Sequence, residues 1–144
     1  MTTAADPEDP PVSVKAALQS GNKWVLLRND RDEWELPGGR IDAQDASLQD
    51  VVLRECREEL GVDVKVGDLV ASYLFEVVPG KRVTIVCFDA VVDATAELLV
   101  SDEHSQVGVF TIDELDALPL PSGYREAIEV AAQRNRELGQ GESL

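Results

Sequence analysis

The stretch from Ser47 to Leu60 has the most restrictive pattern in the sequence, that of one capped amphipathic helix. Its apolar residues recur at the i, i+3, i+4 spacing of a single helix face: Leu48, Val51, Val52, Cys56 and Leu60. Ser47 and Asp50 resemble a capping box in which Asp replaces Glu or Gln. Gly61 stands where a helix end favours a left-handed residue. The apolar stripe of such a helix must pack against a second layer, which the rest of the chain has to supply.

Runs of β-branched and apolar residues on both sides of this helix predict strands. Residues 12–18 and 24–27 predict a hairpin across the turn Ser20-Gly21-Asn22, and residues 34–36 predict a short strand that ends at Pro37. Further strands are predicted at 62–66, 69–78, 82–92 and 107–111, and helices at 112–118 and 124–138. Strands interspersed with helices favour an α/β sandwich over a barrel or a bundle.

The length and composition fit one domain. The 144 residues, 44% of them hydrophobic, suffice for a single core. We predict a domain at 12–137 between a flexible arm at 1–11 and a frayed tail at 138–144.

Cys56 and Cys87 lie in apolar stretches without a CxxC pair, which predicts buried free thiols. Without a secretory signal pattern or an apolar run of roughly 20 residues, we expect a soluble cytoplasmic protein and no membrane partner.

The net charge limits the classes of binding partner that the chain can have. The chain has 13 Lys and Arg against 28 Asp and Glu, a formal net charge of −15. This balance argues against binding to duplex nucleic acid or to an anionic membrane. It does not exclude a nucleotide substrate, because a bound divalent metal reverses the local potential.

Three glutamates stand together on the predicted helix. Glu55, Glu58 and Glu59 are spaced i, i+3 and i+4, so their side chains project from neighbouring turns of one face. Three like charges repel one another and destabilise the helix, but the arrangement becomes favourable when a hard cation lies among them. Carboxylate oxygens are ligands that Mg²⁺ or Mn²⁺ prefers. An isolated group of this kind is usually a solvated acidic face, here moderated by Arg54 and Arg57. The surrounding sequence therefore has to decide between the two interpretations.

That sequence has a glycine pair after a strand, Gly38-Gly39, and then Arg54-Glu55-Cys56-x-Glu58-Glu59-x-Gly61-Val62 after a loop. It resembles the Nudix box, Gly-x5-Glu-x7-Arg-Glu-U-x-Glu-Glu-x-Gly-U, in which U is aliphatic. The resemblance implies a Nudix-type α/β/α sandwich with a mixed central sheet and a catalytic loop–helix–loop. It also implies a pyrophosphohydrolase that uses Mg²⁺ or Mn²⁺ to cleave the P–O–P bond of a nucleoside diphosphate linked to another moiety.

The matching positions take their roles from this resemblance. Glu58 and Glu59 are implied to be metal ligands, and Glu55 a further ligand or the base that activates water. The backbone carbonyl near Gly39 is implied to contribute to the metal. Arg54 is implied to be structural, because it pairs with a carboxylate and holds the loop–helix–loop rigid.

The sequence departs from the family pattern in two places. The first Glu of the box should stand six residues after Gly39, where Asp45 is found, and eight rather than seven residues then precede Arg54. Counting back from Arg54 instead puts Ala46 at that position. Either the loop is one residue longer and Asp45 substitutes, or the carboxylate is missing; we expect tuned activity rather than loss. Cys56 for an aliphatic residue is a mild change, since a buried thiol behaves as a small hydrophobe.

Outside the box, the loop before residue 107 offers a further acid. The resemblance makes Glu103 a candidate remote ligand or general base, with Asp102 second, so that the base is either Glu55 or Glu103. His104 is the only histidine. A histidine-dependent mechanism or a zinc site is therefore not expected, and His104 is assigned to hydrogen bonding at the surface or in the loop.

Basic and glycine residues are candidates for substrate contacts. Arg28, Arg40 and Arg82 are candidate contacts to phosphates or ribose, and Arg40 is the best placed because it follows Gly38 and Gly39. The partner is expected to be a small-molecule nucleotide, either a nucleoside diphosphate sugar such as ADP-ribose or a nucleoside triphosphate. A homodimer is a mild expectation, because many relatives are dimers. The alternative is a catalytically weak Nudix-fold nucleotide sensor or interaction module; such relatives usually lack helix glutamates that are present here.

Overall fold

The computed structural model describes residues 9–142, with side chains described through Glu137, as a seven-stranded sheet with flanking helices. In chain order the strands are β1 (Val12–Ser20), β2 (Lys23–Arg28), β3 (Trp34–Glu35), β4 (Gly38–Arg40), β5 (Lys65–Val78), β6 (Lys81–Val92) and β7 (Gln106–Phe110). Helix α1 (Leu48–Leu60) follows β4, and a 3₁₀ helix (Ile112–Ala117) and α2 (Ser122–Glu142) follow β7.

The sheet is mixed, and β1 pairs with three other strands, β2, β4 and β6. The order is β3-β2-β1-β6-β5; β1 runs parallel to β6, and the other described pairs are antiparallel. On its other edge β1 pairs with β4 near its start, where Val14 faces Gly39, and with β2 at its end, where Gln19 faces Trp24. Because β1 changes partner along its length, the Gly38-Gly39 segment lies beside α1.

A hydrophobic cluster covers each face of the sheet. On one face α1 contributes Val51, Val52 and Cys56, which pack with Val14 and Leu18 of β1. A second cluster joins the other face to α2 and the 3₁₀ helix through Leu26, Ile85, Leu115, Ile128 and Ala131. The predicted α/β/α sandwich with a mixed sheet is confirmed. Cys56 and Cys87 are buried free thiols, as predicted.

Local capping defines both ends of α1. The Ser47 side chain accepts a hydrogen bond from the Asp50 backbone N–H at 3.1 Å. The Asp50 carboxylate accepts from the Ala46 N–H rather than from that of Ser47, so the reciprocal half of the predicted capping box is shifted by one residue. Gly61 is left-handed, with φ of 69°, and its N–H donates to the Arg57 carbonyl at 3.0 Å.

The bounds of β5 and α2 differ from the prediction. The two strands predicted at 62–66 and 69–78 are one strand, β5, with irregular register between Val66 and Ala71. Gly67 lets this strand continue, because a Cβ there would collide with the Asp89 carboxylate. Helix α2 runs to Glu142, so residues 138–142 are helical where a frayed tail was predicted. Residues 1–8 of the predicted arm and 143–144 of the predicted tail lie outside the described residues. No helix between residues 9 and 142 is long and apolar enough to span a membrane.

Candidate active site

A cleft of about 530 Å³ lies where β4 meets α1, and it brings most of the predicted site residues together. Its lining includes seven of them: Gly38, Gly39, Arg40, Arg54, Glu55, Glu59 and Glu103. Glu58, Asp45 and Arg28 are not part of this lining. The cleft therefore joins the glycine pair, the acidic helix face and the loop before β7.

The glycine pair allows β4 to fit between β1 and α1. Gly38 has a φ of 144°, and a Cβ there would collide with the backbone of β1. A Cβ on Gly39 would lie 2.5 Å from Glu55 Oε2. The Gly38 N–H donates to Glu59 Oε1 at 2.9 Å, so this backbone directly orients one of the acidic side chains.

Arg54 connects the loop to the helix glutamates. Its Nε and Nη2 donate to the two carboxylate oxygens of Asp45 at 3.0 and 2.8 Å, and Nη2 also donates to the Arg40 carbonyl. Its Nη1 donates to Glu55 Oε2 at 3.1 Å and Glu58 Oε1 at 3.2 Å. These hydrogen bonds hold the pKa of Asp45 below its usual value. Of the two loop alternatives, the geometry matches the longer loop with Asp45 as the paired carboxylate.

Glu55 and Glu59 are buried glutamates that line the cleft. Burial raises the pKa of Glu59 to about 7, although the Gly38 N–H and the Lys15 ammonium oppose this shift. Burial also raises the pKa of Glu55; Arg54 opposes the rise, and the charges of Glu58 and Glu103 add to it. Ionising both acids is therefore costly unless a cation lies near them.

A buried polar group beside these acids was not predicted from the sequence. His104 Nε2 lies 2.6 Å from Glu35 Oε2, and Lys15 Nζ donates to the Leu36 carbonyl at 3.2 Å. Burial alone would raise the pKa of Glu35, but the His104 hydrogen bond and the Lys15 charge lower it to about 2. The sequence assigned His104 to hydrogen bonding at the surface or in the loop. The structure shows a hydrogen bond to Glu35, but the His104 side chain is only 6% exposed and does not lie at the surface.

His104 fixes the loop that carries Glu103. Its Nδ1 is buried, lies 4.0 Å from Glu59 Oε2, and has no hydrogen-bond partner within residues 9–142. The next residue, Ser105, donates its N–H to the Arg28 carbonyl at 3.1 Å. These contacts hold the loop that places the exposed Glu103 in the lining of the cleft.

Two predicted residues lie at the margin of the cleft or outside it. Glu58 has a side chain that is 58% exposed and reaches the site through Arg54. The Arg28 guanidinium lies 5.5 Å from the Trp34 ring and 3.6 Å from Asp32, away from the lining. Arg40 does line the cleft, and its Nε donates to Ser13 Oγ at 3.2 Å. The geometry therefore favours Arg40 over Arg28 as the substrate contact, because Arg40 lines the cleft and Arg28 does not.

The donor set fits a hard divalent cation. Glu55, Glu59 and Glu103 line the cleft and Glu58 lies at its margin, and their carboxylate oxygens are donors that suit Mg²⁺ or Mn²⁺ better than a soft metal. Within residues 9–142 no three His, Cys, Asp or Glu side chains have the spacing of a complete ligand set. The reason is local: Glu58 turns towards Arg54, and Glu59 turns towards the Gly38 N–H.

Comparisons with known proteins identify the family of this chain. A family model described as NUDIX domain matches residues 9–132. The chain is 46% identical over 69 residues to the CTP pyrophosphohydrolase of Escherichia coli, a match that covers 44% of this chain and 50% of that protein. A match to the putative hydrolase 111R of Invertebrate iridescent virus 3 covers 34% of that protein, so these curated relatives are matched over half of their length or less.

Solved structures match over nearly the whole fold. The MutT protein of Methanosarcina mazei Go1 has a TM-score of 0.74 and 28% identity, with 89% of this chain and 97% of that chain covered. An ADP-ribose pyrophosphatase of Streptococcus suis has a TM-score of 0.70 and 28% identity, with coverage of 88% and 92%. Because the family match spans most of the sequence and these structures share the fold, the chain belongs to the Nudix family.

Proposed function

We propose that this chain is a divalent-metal-dependent pyrophosphohydrolase, which cleaves the P–O–P bond of a nucleoside diphosphate linked to another group. The observation that carries the proposal is the meeting of Glu55, Glu59 and Glu103 with Gly39 and Arg40 in one cleft. The names of the CTP pyrophosphohydrolase and the ADP-ribose pyrophosphatase, both similar to this chain, support a phosphoanhydride substrate that contains a nucleotide.

The carboxylates of Glu55, Glu58 and Glu59, with the carbonyl of Gly39, would hold the ion. When bound, Mg²⁺ or Mn²⁺ neutralises phosphate charge and lowers the pKa of a coordinated water. The family membership supports a divalent ion in general, and the all-oxygen donor set is our reason for naming these two.

The residues of the chain position the substrate and accept a proton. Gly39 has no Cβ, so the Glu55 carboxylate can lie close to the β4 backbone and to the Gly39 carbonyl proposed as a metal ligand. Arg40 lies beside it and would neutralise charge on the phosphates. Water oxygen forms a bond to one phosphorus, the P–O bond of the bridge breaks, and two phosphorylated products leave. Glu55 or Glu103 accepts the water proton; Glu55 is the more buried of the two, and burial raises its pKa above the ordinary value, which makes it the stronger base.

Turnover of a substrate panel tests the proposal. The panel would contain ADP-ribose, sugar nucleotides, dinucleoside polyphosphates, NADH, and ordinary and oxidised nucleoside triphosphates, each with Mg²⁺, Mn²⁺ or a chelator. We expect metal-dependent turnover that falls about a hundredfold or more in Glu58→Gln and in Glu59→Gln, because each removes a charged ligand. Glu97→Gln, which changes an exposed acid outside the cleft, is the matched control.

Two results would contradict the proposal. One is turnover that neither glutamine variant changes, which would exclude these glutamates as ligands. The other is tight nucleotide binding without metal and without turnover of any panel member, which would indicate a nucleotide sensor.

A further inference from the structure

A second pocket, of about 650 Å³, lies next to the cleft. It is formed by the turn at Gly80, the start of β6 and the residues before β1. Arg31 and Arg40 line both this pocket and the cleft. A substrate that has its phosphoanhydride bridge beside Gly39 can therefore extend past Arg40 into the second pocket.

Basic side chains dominate this second pocket, which we call the basic pocket. Arg31, Arg40, Lys81 and Arg82 line it, together with one acid, Asp9. The chain as a whole has the opposite balance, with 28 acidic and 13 basic residues. Four of the basic residues thus meet at one place beside an acidic cleft, and such a local field attracts anions regardless of the net charge.

Nearby carboxylates neutralise one of these four cations. Arg31 lies within 3.4 to 3.9 Å of three acids: Asp30, Glu33 and Glu35. Its charge is therefore largely neutralised within the protein, which leaves Arg40, Lys81 and Arg82 as the other cations of the basic pocket.

Among the side chains described, from residue 9 to 137, Arg40, Lys81 and Arg82 form no ion pair. Six other arginines, Arg28, Arg31, Arg54, Arg57, Arg125 and Arg134, do form one there. Glu76 is the register partner of Arg82 across β5 and β6, but its Oε2 accepts the Gly80 N–H at 3.1 Å. These side chains are thus available for an anionic ligand.

The remaining wall of the basic pocket is apolar. It is made by Pro10, Pro11, Val77, Val78 and Val83. Low-dielectric walls strengthen the attraction between nearby cations and an anion, because fewer waters screen it. The volume exceeds what a single small ion requires, so the pocket suits a group that is attached to a larger ligand.

On the basis of the proposed function, we propose that the basic pocket binds the terminal phosphates of the substrate. The preferred substrate class is then a nucleoside triphosphate rather than a nucleoside diphosphate joined to a neutral sugar. A terminal phosphate adds a charge of about −1.5 to −2, which ribose does not have. Hydrolysis of the α–β bridge consumes one water and yields a nucleoside monophosphate and pyrophosphate, and the pyrophosphate leaves from the basic pocket.

ATP and ADP-ribose provide a matched test, because both contain adenosine 5′-diphosphate and they differ in the terminal group. UTP and UDP-glucose provide the same comparison for uridine. We expect a higher kcat/KM for the triphosphate. The double variant Lys81→Ala/Arg82→Ala should lower kcat/KM for the triphosphate about tenfold more than for the sugar nucleotide, mainly through KM, because charge-assisted contacts to phosphate are lost.

The control variant removes one lysine and one arginine elsewhere. Lys23 and Arg136 are exposed and lie outside both pockets, so Lys23→Ala/Arg136→Ala should change neither value by more than about twofold. A binding readout is independent of turnover: calorimetry with inorganic pyrophosphate and a chelator should show binding about tenfold weaker in the Lys81→Ala/Arg82→Ala variant.

The outcomes separate the two proposals. If turnover depends on Glu58 but the Lys81→Ala/Arg82→Ala variant affects both substrates equally, the basic pocket proposal is overturned and the hydrolase stands. If no nucleotide is hydrolysed while pyrophosphate binding depends on Lys81 and Arg82, the hydrolase fails and the anion site stands. Unchanged pyrophosphate binding in the double variant also counts against the pocket.

Discussion

At the scale of single residues, Arg54 explains how a box with an irregular loop still forms an ordered site. Its guanidinium contacts the Asp45 carboxylate, the Arg40 carbonyl, Glu55 and Glu58 at once. The contact with Asp45 depends on where the carboxylate lies in space and not on the number of residues between the two positions. One additional loop residue is therefore compatible with the pairing.

Removing the Asp45 carboxylate tests this explanation. We expect Asp45→Ala to lower kcat roughly tenfold, because Arg54 loses two hydrogen bonds and holds Glu55 and Glu58 less firmly. Steady-state kinetics at saturating Mg²⁺, on a substrate found with the panel, would measure the effect. Asp63→Ala breaks the exposed Arg57–Asp63 pair beyond the other end of α1 and should leave kcat unchanged. If the Asp45 variant keeps full activity, Arg54 needs no loop carboxylate.

The buried polar residues mark the limit of prediction at this scale. Lys15 stands in an apolar strand, which gives no sign that its side chain is 7% exposed and close to Glu35 and Glu59. His104 likewise stands in a polar stretch of sequence, which predicts an exposed loop. Their surroundings come from pairing between β1 and β4 and from the loop before β7. These are contacts between distant positions, and a single sequence contains no local signal for them.

At the scale of elements, prediction succeeded where the signals are local. Ser47 and Gly61 act on the backbone of their own helix ends, and α1 has the predicted bounds to within one residue. The fusion of two predicted strands into β5 was missed, because Gly67 and Asp68 interrupt the apolar pattern. The cause lies on another strand: Asp89 accepts the Asp68 N–H at 2.7 Å and leaves no room for a Cβ at Gly67.

Glycine substitution tests the cap that ends α1. In Gly61→Ala, the left-handed backbone costs about 1–2 kcal/mol, and the new Cβ would lie 2.9 Å from Leu99 Cδ1. Gly80→Ala is the matched control: its φ is also positive, at 83°, but nothing lies within 4 Å of the added carbon. Urea unfolding should show a larger loss for Gly61→Ala. Equal losses would indicate that Leu99 moves aside and that backbone strain alone sets the effect.

At the scale of the whole molecule, the balance of buried charges should make stability depend on pH and metal. Glu59 has a pKa raised to about 7 by burial, so its contribution to stability is complete below about pH 4.5 and is lost as pH rises through 7. The raised pKa values of Glu55 and His104 act in the same direction. Glu35, with its pKa lowered to about 2, loses its contribution only as pH falls from about 4.5 through 2. From pH 5 to pH 8 the shifts of Glu59, Glu55 and His104 therefore lower stability, and the contribution of Glu35 stays constant.

We expect the metal-free protein to lose on the order of 2 kcal/mol of unfolding free energy between pH 5 and pH 8, and Mg²⁺ to restore stability increasingly towards pH 8. The ion binds ionised carboxylates, so it competes with the protons on Glu55 and Glu59 and gains affinity as they leave. Urea unfolding at pH 5, 6.5 and 8, with chelator or with Mg²⁺, measures both effects. Glu59→Gln removes the main titrating group and should flatten the metal-free slope. A metal-free stability that rises over this range would contradict the raised pKa of Glu59. A Mg²⁺ effect that does not change with pH would mean that the buried glutamates do not bind the ion.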